Sequence, residues 1–190
     1  MARSARVAAG TDALSPKSVA PIAQLESAPE AGDAEQRFGA ILQQYGASMR
    51  RIARVYASPE SETDDLYQEM QFQVWRSLPS FRAESSLGTW VYRVALNTAL
   101  KHRRSERRRV IDTKDLADSD AQTHNEPRRQ ETILAEFVAS LGAIDRSVLL
   151  LYMEGLTQQQ IGEVVGMNSN AIAVRIHRVK RTFEARYTED

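Results

Sequence analysis

The stretch that most constrains this chain is Asp64–Arg109, DDLYQEMQFQVWRSLPSFRAESSLGTWVYRVALNTALKHRRSERRR, which reads as two helices of different character around a short connector. In the first helix, Asp64–Leu78, the residues Leu66, Tyr67, Met70, Val74 and Leu78 fall on one arc at 100° per residue. That arc is predicted to face a core. Asp64 and Asp65 open the helix with the negative charge that a helix N-terminus favours. The opposite side carries Asp65, Glu69, Phe72 and Arg76, and an aromatic ring on an otherwise solvated acidic face suits a protein partner.

The second helix, Leu87–Arg109, turns another kind of surface outward. Arg93, Asn97, Lys101, Arg104 and Arg108 share a narrow stripe of the wheel, with Trp90 at its upper end. The last turns, KHRRSERRR, hold seven basic side chains against one Glu. Cations at a helix C-terminus are favourable for electrostatic reasons alone, so a solvated charged end accounts for part of the run. Trp90, Tyr92 and Asn97 upstream point to nucleic acid, because aromatic rings stack on bases and an Asn amide reads base edges. Val91 and Val94 flank Trp90, which leaves a core position open for it.

The rest of the chain divides around this stretch. Residues 1–33 are rich in Ala, Ser and Pro without helical or alternating period and are predicted to be a flexible leader. From Ala34 a stripe of Phe38, Ile41, Leu42, Tyr45, Met49, Ile52 and Val55 recurs at three- and four-residue steps. Ser58-Pro59 ends that helix, and Ser61 or Thr63 is placed to cap the next. Residues 34–110 thus form a helical bundle close to the lower size for an independent core. Residues 111–130 are polar, acidic and end near Pro127, the composition of a linker. The zero net charge conceals this division: residues 34–110 carry +5, whereas residues 111–132 carry −3.

A second helical unit is predicted over residues 131–190. Ile133, Leu134, Phe137, Val138 and Leu141 make one amphipathic helix. Asp145 is placed to cap an apolar helix, Arg146–Glu154, which Gly155 stops. In Thr157–Phe183, TQQQIGEVVGMNSNAIAVRIHRVKRTF, Thr157 caps a short helix with Ile161, Val164 and Val165 inward. Gly166 supplies a left-handed turn and Asn168 or Ser169 begins a longer helix. A capped short helix, a glycine turn and a longer second helix make a helix-turn-helix. Ile172, Ile176, Val179 and Phe183 line the inner side of the second helix. Asn170, Val174, His177, Arg178 and Arg181 face outward, offering amide, imidazole and guanidinium donors plus one apolar spot for a thymine methyl.

Two of these stretches carry a family resemblance. DLYQEM…VW, then FRAESSLGTWVYRVALNTAL and the basic tail, resembles region 2 of the extracytoplasmic-function sigma factors, in the sigma-70 family of bacterial RNA polymerase. VLLLYMEGLT over Val148–Thr157, followed by the helix-turn-helix, resembles region 4. The resemblance implies an all-α protein that binds core RNA polymerase and directs it to promoters. It implies that Asp65, Gln68, Glu69 and Phe72 meet the clamp helices of the largest catalytic subunit. Phe81, Arg82, Trp90, Arg93, Asn97, Lys101 and Arg104 are then expected on single-stranded −10 DNA. Ser169, Asn170, Val174, Arg175, His177, Arg178 and Arg181 are expected in the double-stranded −35 major groove. An anti-sigma factor is a further partner of the kind the family has. The chain departs from the pattern at Gly142-Ala143, where a proline pair is usual. Ala171, Ala173 and Val174 also replace more polar residues, which implies more apolar base contacts. A single aromatic in Trp90-Val91, where housekeeping factors have two Trp, implies stricter promoter choice. The short linker leaves no room for a region 3 domain, and the leader does not resemble region 1.1.

Other functions find little support in the residues. There is no cysteine, so disulfides and thiolate metal sites are excluded and a reducing cytoplasm is expected. No apolar run approaches a membrane span, and no signal peptide is expected. His102, His124 and His177 lie in separate segments without metal-ligand spacing, so neither a metal nor a cofactor is expected. No nucleophile, base or phosphate loop is gathered, and the chain is expected not to be an enzyme. The rival reading is a helix-turn-helix transcriptional regulator whose N-terminal bundle oligomerises or senses a signal. It explains residues 131–190 equally well but leaves the Asp65, Glu69 and Phe72 face without a role.

Overall fold

A computed structural model describes residues 34–57, 62–112 and 129–187, and every regular element among them is helical. The helices fall into two compact units. The first contains α1 (Ala34–Tyr56), α2 (Thr63–Ser77) and α3 (Leu87–Asp112). The second contains α4 (Arg129–Ser140), α5 (Ala143–Met153), α6 (Gln158–Val165) and α7 (Ser169–Tyr187). Among the described residues no helix is long and apolar enough to cross a membrane. The predicted leader, residues 1–33, lies outside the described residues. So does most of the predicted linker, whose ends at 111–112 and 129–130 continue α3 and α4.

In the first unit the three helices pack pairwise. The α1 stripe is buried through Ile41, Tyr45, Met49 and Ile52, joined by Ala53 and Tyr56; Phe38, Leu42 and Val55 lie at its margin. Leu66, Met70, Val74 and Leu78 complete the core from α2, and Leu87, Val91, Ala95, Leu96 and Ala99 from α3. Tyr45 and Tyr92 meet edge to face with centroids 6.0 Å apart. The Tyr92 hydroxyl donates to Ser48 at 3.2 Å. The buried Tyr45 hydroxyl has no partner among the described residues, and burial pushes its pKa from 10.0 up to about 12.

The start of α2 differs from expectation. Thr63 lies inside the helix, the N-cap is Glu62 in helical geometry, and no side chain caps it. Acids of the first turn do the electrostatic work instead. Asp64 accepts from Arg50 of α1 at 2.7 Å, and the same guanidinium lies 4.5 Å over the Tyr67 ring. At the other end Pro79 does not simply stop the helix. The chain tightens into a 3-10 turn, Leu78–Ser80, which keeps Leu78 buried. That turn is regular until Phe81, where the connector turns extended.

In the second unit Phe137, Val148, Leu149, Leu151, Ile161, Ile172, Val179 and Phe183 form the core. Phe137 meets Phe183 edge to face at 5.0 Å. The α5 helix starts earlier than expected, with Gly142 as N-cap and Asp145 within the first turn. Arg146 is buried and its guanidinium donates to three main-chain carbonyls at the end of α4, those of Val138, Ala139 and Leu141. The Val138 carbonyl also accepts the Leu141 N–H at 3.3 Å, and Arg146 adds a donor to it and to the carbonyls of Ala139 and Leu141, so one side chain of α5 finishes the end of α4. The turn between α6 and α7 follows expectation. Thr157 and Gln160 form a reciprocal capping box, and Gly166 takes φ +75°. The Gly162 backbone lies so close to the turn that a Cβ there would sit 2.3 Å from the Met167 carbonyl oxygen. Asn168 receives the Ala171 N–H at 2.8 Å, which begins α7.

Candidate nucleic-acid and partner interfaces

On α2 the residues that do not enter the core form one continuous outer face. Asp65, Gln68, Glu69, Phe72 and Arg76 are all exposed, and Phe72 keeps 52% of its surface in solvent. Burying that ring against a partner is favourable because its apolar area would leave water. Arg76 lies 5.9 Å over the ring and Gln73 donates to Glu69 at 2.6 Å, so the acidic face is partly ordered in advance. Trp75, which the sequence pattern did not single out, is also exposed and meets Phe38 of α1 edge to face at 5.1 Å. The signal was its place three residues beyond Phe72, outside the buried arc.

The connector and α3 build a second surface. Ala83 holds φ +55°, a conformation that costs a non-glycine residue about 1 kcal/mol. Ser86 then accepts the Thr89 N–H at 3.1 Å and caps α3. The Phe81 ring lies 5.2 Å from that of Trp90, so connector and helix meet through an aromatic pair. Trp90 is half-buried: one side supports the connector and the rest reaches solvent. Asn97, Lys101, Arg104 and Arg108 are exposed along the stripe below it, while Arg93 is half-buried. Arg82 is exposed on the connector. Such a surface offers a stacking platform, a base-edge amide and cations for phosphates.

On α7, Ser169, Asn170, His177, Arg178 and Arg181 are exposed and Val174 keeps 58% of its surface in solvent. The inner stripe Ile172, Ile176, Val179 and Phe183 is buried, as the helical period requires. A shallow open depression is lined by Met167, Asn170, Ala171, Val174, Arg175 and Arg178. Arg175 differs from its neighbours because its guanidinium pairs with Asp145 of α5 at 2.6 Å, both groups being half-buried. Asp145, inside the first turn of α5 rather than at its cap, thus serves α7. Lys180 is likewise turned inward, donating to the Tyr152 hydroxyl at 2.8 Å. Arg178 and Arg181 remain on the outer face.

One grouping escapes any search by sequence spacing. Glu62, at the start of α2, reaches His102 of α3, with Glu106 one helical turn further on.

Comparison with known proteins covers both units. Residues 41–109 match the family model for Sigma-70 region 2, and residues 131–183 match that for Sigma-70, region 4. The RNA polymerase sigma factor CnrH of Cupriavidus metallidurans is 25% identical over 173 residues, which span 83% of this chain and 91% of CnrH. The ECF RNA polymerase sigma-E factor of Haemophilus influenzae is 26% identical over 165 residues, 79% of this chain and 87% of that protein. Among solved structures, the sigma factor RpoE in complex with the anti-sigma factor NepR from Bartonella quintana shares the fold. Its TM-score is 0.67 at 19% identity, covering 79% of this chain and 96% of RpoE.

Proposed function

Because the chain belongs to the sigma-70 family, as an extracytoplasmic-function sigma factor with regions 2 and 4, we propose that its two helical units divide the work of promoter recognition. It is a non-enzymatic initiation subunit that binds core RNA polymerase and directs it to promoter DNA. The region 2 match removes the rival reading of the first unit as an oligomerisation or sensing domain.

The outer face of α2, with Asp65, Gln68, Glu69 and Phe72, is the polymerase anchor. Phe81, Arg82, Trp90, Arg93, Asn97, Lys101 and Arg104 receive the −10 strand. Binding flipped bases there drives melting without nucleotide hydrolysis, since stacking contributes ~1–3 kcal/mol per base against a few kcal/mol to unpair one. On α7, Ser169, Asn170, Val174, His177, Arg178 and Arg181 lie in the −35 major groove. Arg175 is held by Asp145 at the rim of that face and sets the placement of its neighbours. The chain works in the cytoplasm, and an anti-sigma factor is a partner by analogy with the NepR complex of RpoE. The boundaries proposed for the working parts are 34–110 for region 2, 111–130 for the linker and 131–190 for region 4.

The observation that carries this reading is the pairing, on one small unit, of an exposed acidic face bearing Phe72 with an exposed cationic stripe below Trp90. Run-off transcription with core polymerase, with and without the chain, tests it. The chain is expected to confer initiation at a subset of promoters. Glu69→Ala with Phe72→Ala should abolish that activity and core binding in a pull-down while helical content stays unchanged. Undiminished core association in the double variant would move the anchor elsewhere.

A further inference from the structure

We propose that Glu62, His102 and Glu106 form a binding site for zinc or a chemically similar transition-metal ion, which clips the last turns of α3 to the start of α2. His102 and Glu106 stand four residues apart on α3, so their side chains share one face of the helix. The fold brings Glu62 over that face. Its Oε2 lies 3.0 Å from His102 Nε2, and one ligand atom from each residue lies within 4.8 Å of the others. Ligands bound to a tetrahedral zinc at ~2.0–2.2 Å lie roughly 3.3–3.6 Å from one another. Small side-chain torsions therefore close the group around one ion, with a water in the fourth position.

The chemistry of the set chooses the ion. One imidazole nitrogen and two carboxylates suit zinc and its neighbours, whereas magnesium and calcium prefer all-oxygen sites with more ligands. All three side chains are half-buried between two packed helices, which separates them from acids scattered on a surface. The His102–Glu62 pair already sets one imidazole nitrogen against one carboxylate oxygen. The second, from Glu106, adds the negative charge that a divalent ion requires in a helix end that also carries Lys101, Arg103 and Arg104. Bound there, the ion fixes α3 against α2 between the acidic face and the cationic stripe.

Calorimetric titration of the metal-free full-length chain with zinc tests the site. One ion per chain is expected to bind in the micromolar range, and cobalt in its place should give the strong visible absorption of a four-coordinate centre. His102→Gln and Glu106→Gln should each weaken zinc binding about tenfold or more, with helical content retained. His124→Gln with His177→Gln should leave it unchanged. Thermal melting should rise with zinc in the natural chain and not in His102→Gln. Absence of binding in the micromolar range, or equal affinity in His102→Gln or Glu106→Gln, overturns the proposal.

Discussion

The hydroxyl of Tyr45 is taken out of water without a partner among the described residues, and the consequences are confined to that one group. Tyr45→Phe keeps the edge contact with Tyr92 and removes a buried polar atom, so unfolding in urea at neutral pH should show a gain of about 1 kcal/mol. The alkaline limb tests the same residue. Below pH 10 the hydroxyl is protonated in both folded and unfolded chains and contributes no pH dependence. Between pH 10 and about 12 the unfolded chain releases the proton first, so stability falls as pH rises. The loss is about 2–3 kcal/mol at the top of that window, and Tyr45→Phe should remove it. Asn97 is the opposite case, an exposed amide that no core requires. Asn97→Ala should retain core binding and −35 duplex binding but lose preference among −10 single strands. Affinities for a set of −10 oligonucleotides check this. An unchanged base ranking would shift the specificity pocket into the connector around Phe81.

At the scale of elements, what could be read from the sequence was what neighbouring residues decide. Thr157 and Gly166 define the helix-turn-helix through contacts a few residues apart, and both are where the spacing placed them, with Gln160 completing the cap. The buried stripe of α7, and those of α1 and α2 apart from the half-buried Phe38, Leu42, Val55 and Tyr67, follow from period alone. What escaped was decided by partners far along the chain. Asp145 lies inside the first turn of α5, and its carboxylate meets Arg175, thirty residues later. Glu62 and His102 are forty residues apart and meet only once α2 and α3 have packed. Trp90 was open between core and stacking platform, and its pairing with Phe81 across the connector gives it a share of both. The end of α4 escaped at closer range, since Arg146 finishes it from the next helix, five to eight residues on. Arg146→Met would keep the stem but leave the Ala139 and Leu141 carbonyls without this donor and Val138 with the Leu141 N–H alone, at a cost of about 3 kcal/mol. Thermal unfolding should show the transition of the second unit lowered or lost, with that of the first unchanged.

For the whole molecule, each unit has a core of its own, built from helices that pack within that unit. Fragments spanning 34–112 and 129–187 are therefore expected to fold separately. Their summed circular dichroism should match that of the same segments in the intact chain. The first should bind core polymerase and the second −35 duplex, each losing promoter-directed transcription. A fragment that is unfolded alone would show that its unit depends on the rest of the chain. Net charge divides in the same way: the +5 of residues 34–110 draws that unit towards nucleic acid at long range, more weakly as salt rises. The arginine that closes α4 adds a condition on how the second unit is made. As the chain leaves the ribosome, water answers the Ala139 and Leu141 carbonyls until Arg146 emerges a few residues later. The last turn of α4 is then tied to the helix that follows it, so a chain cut between the two would leave that turn to fray.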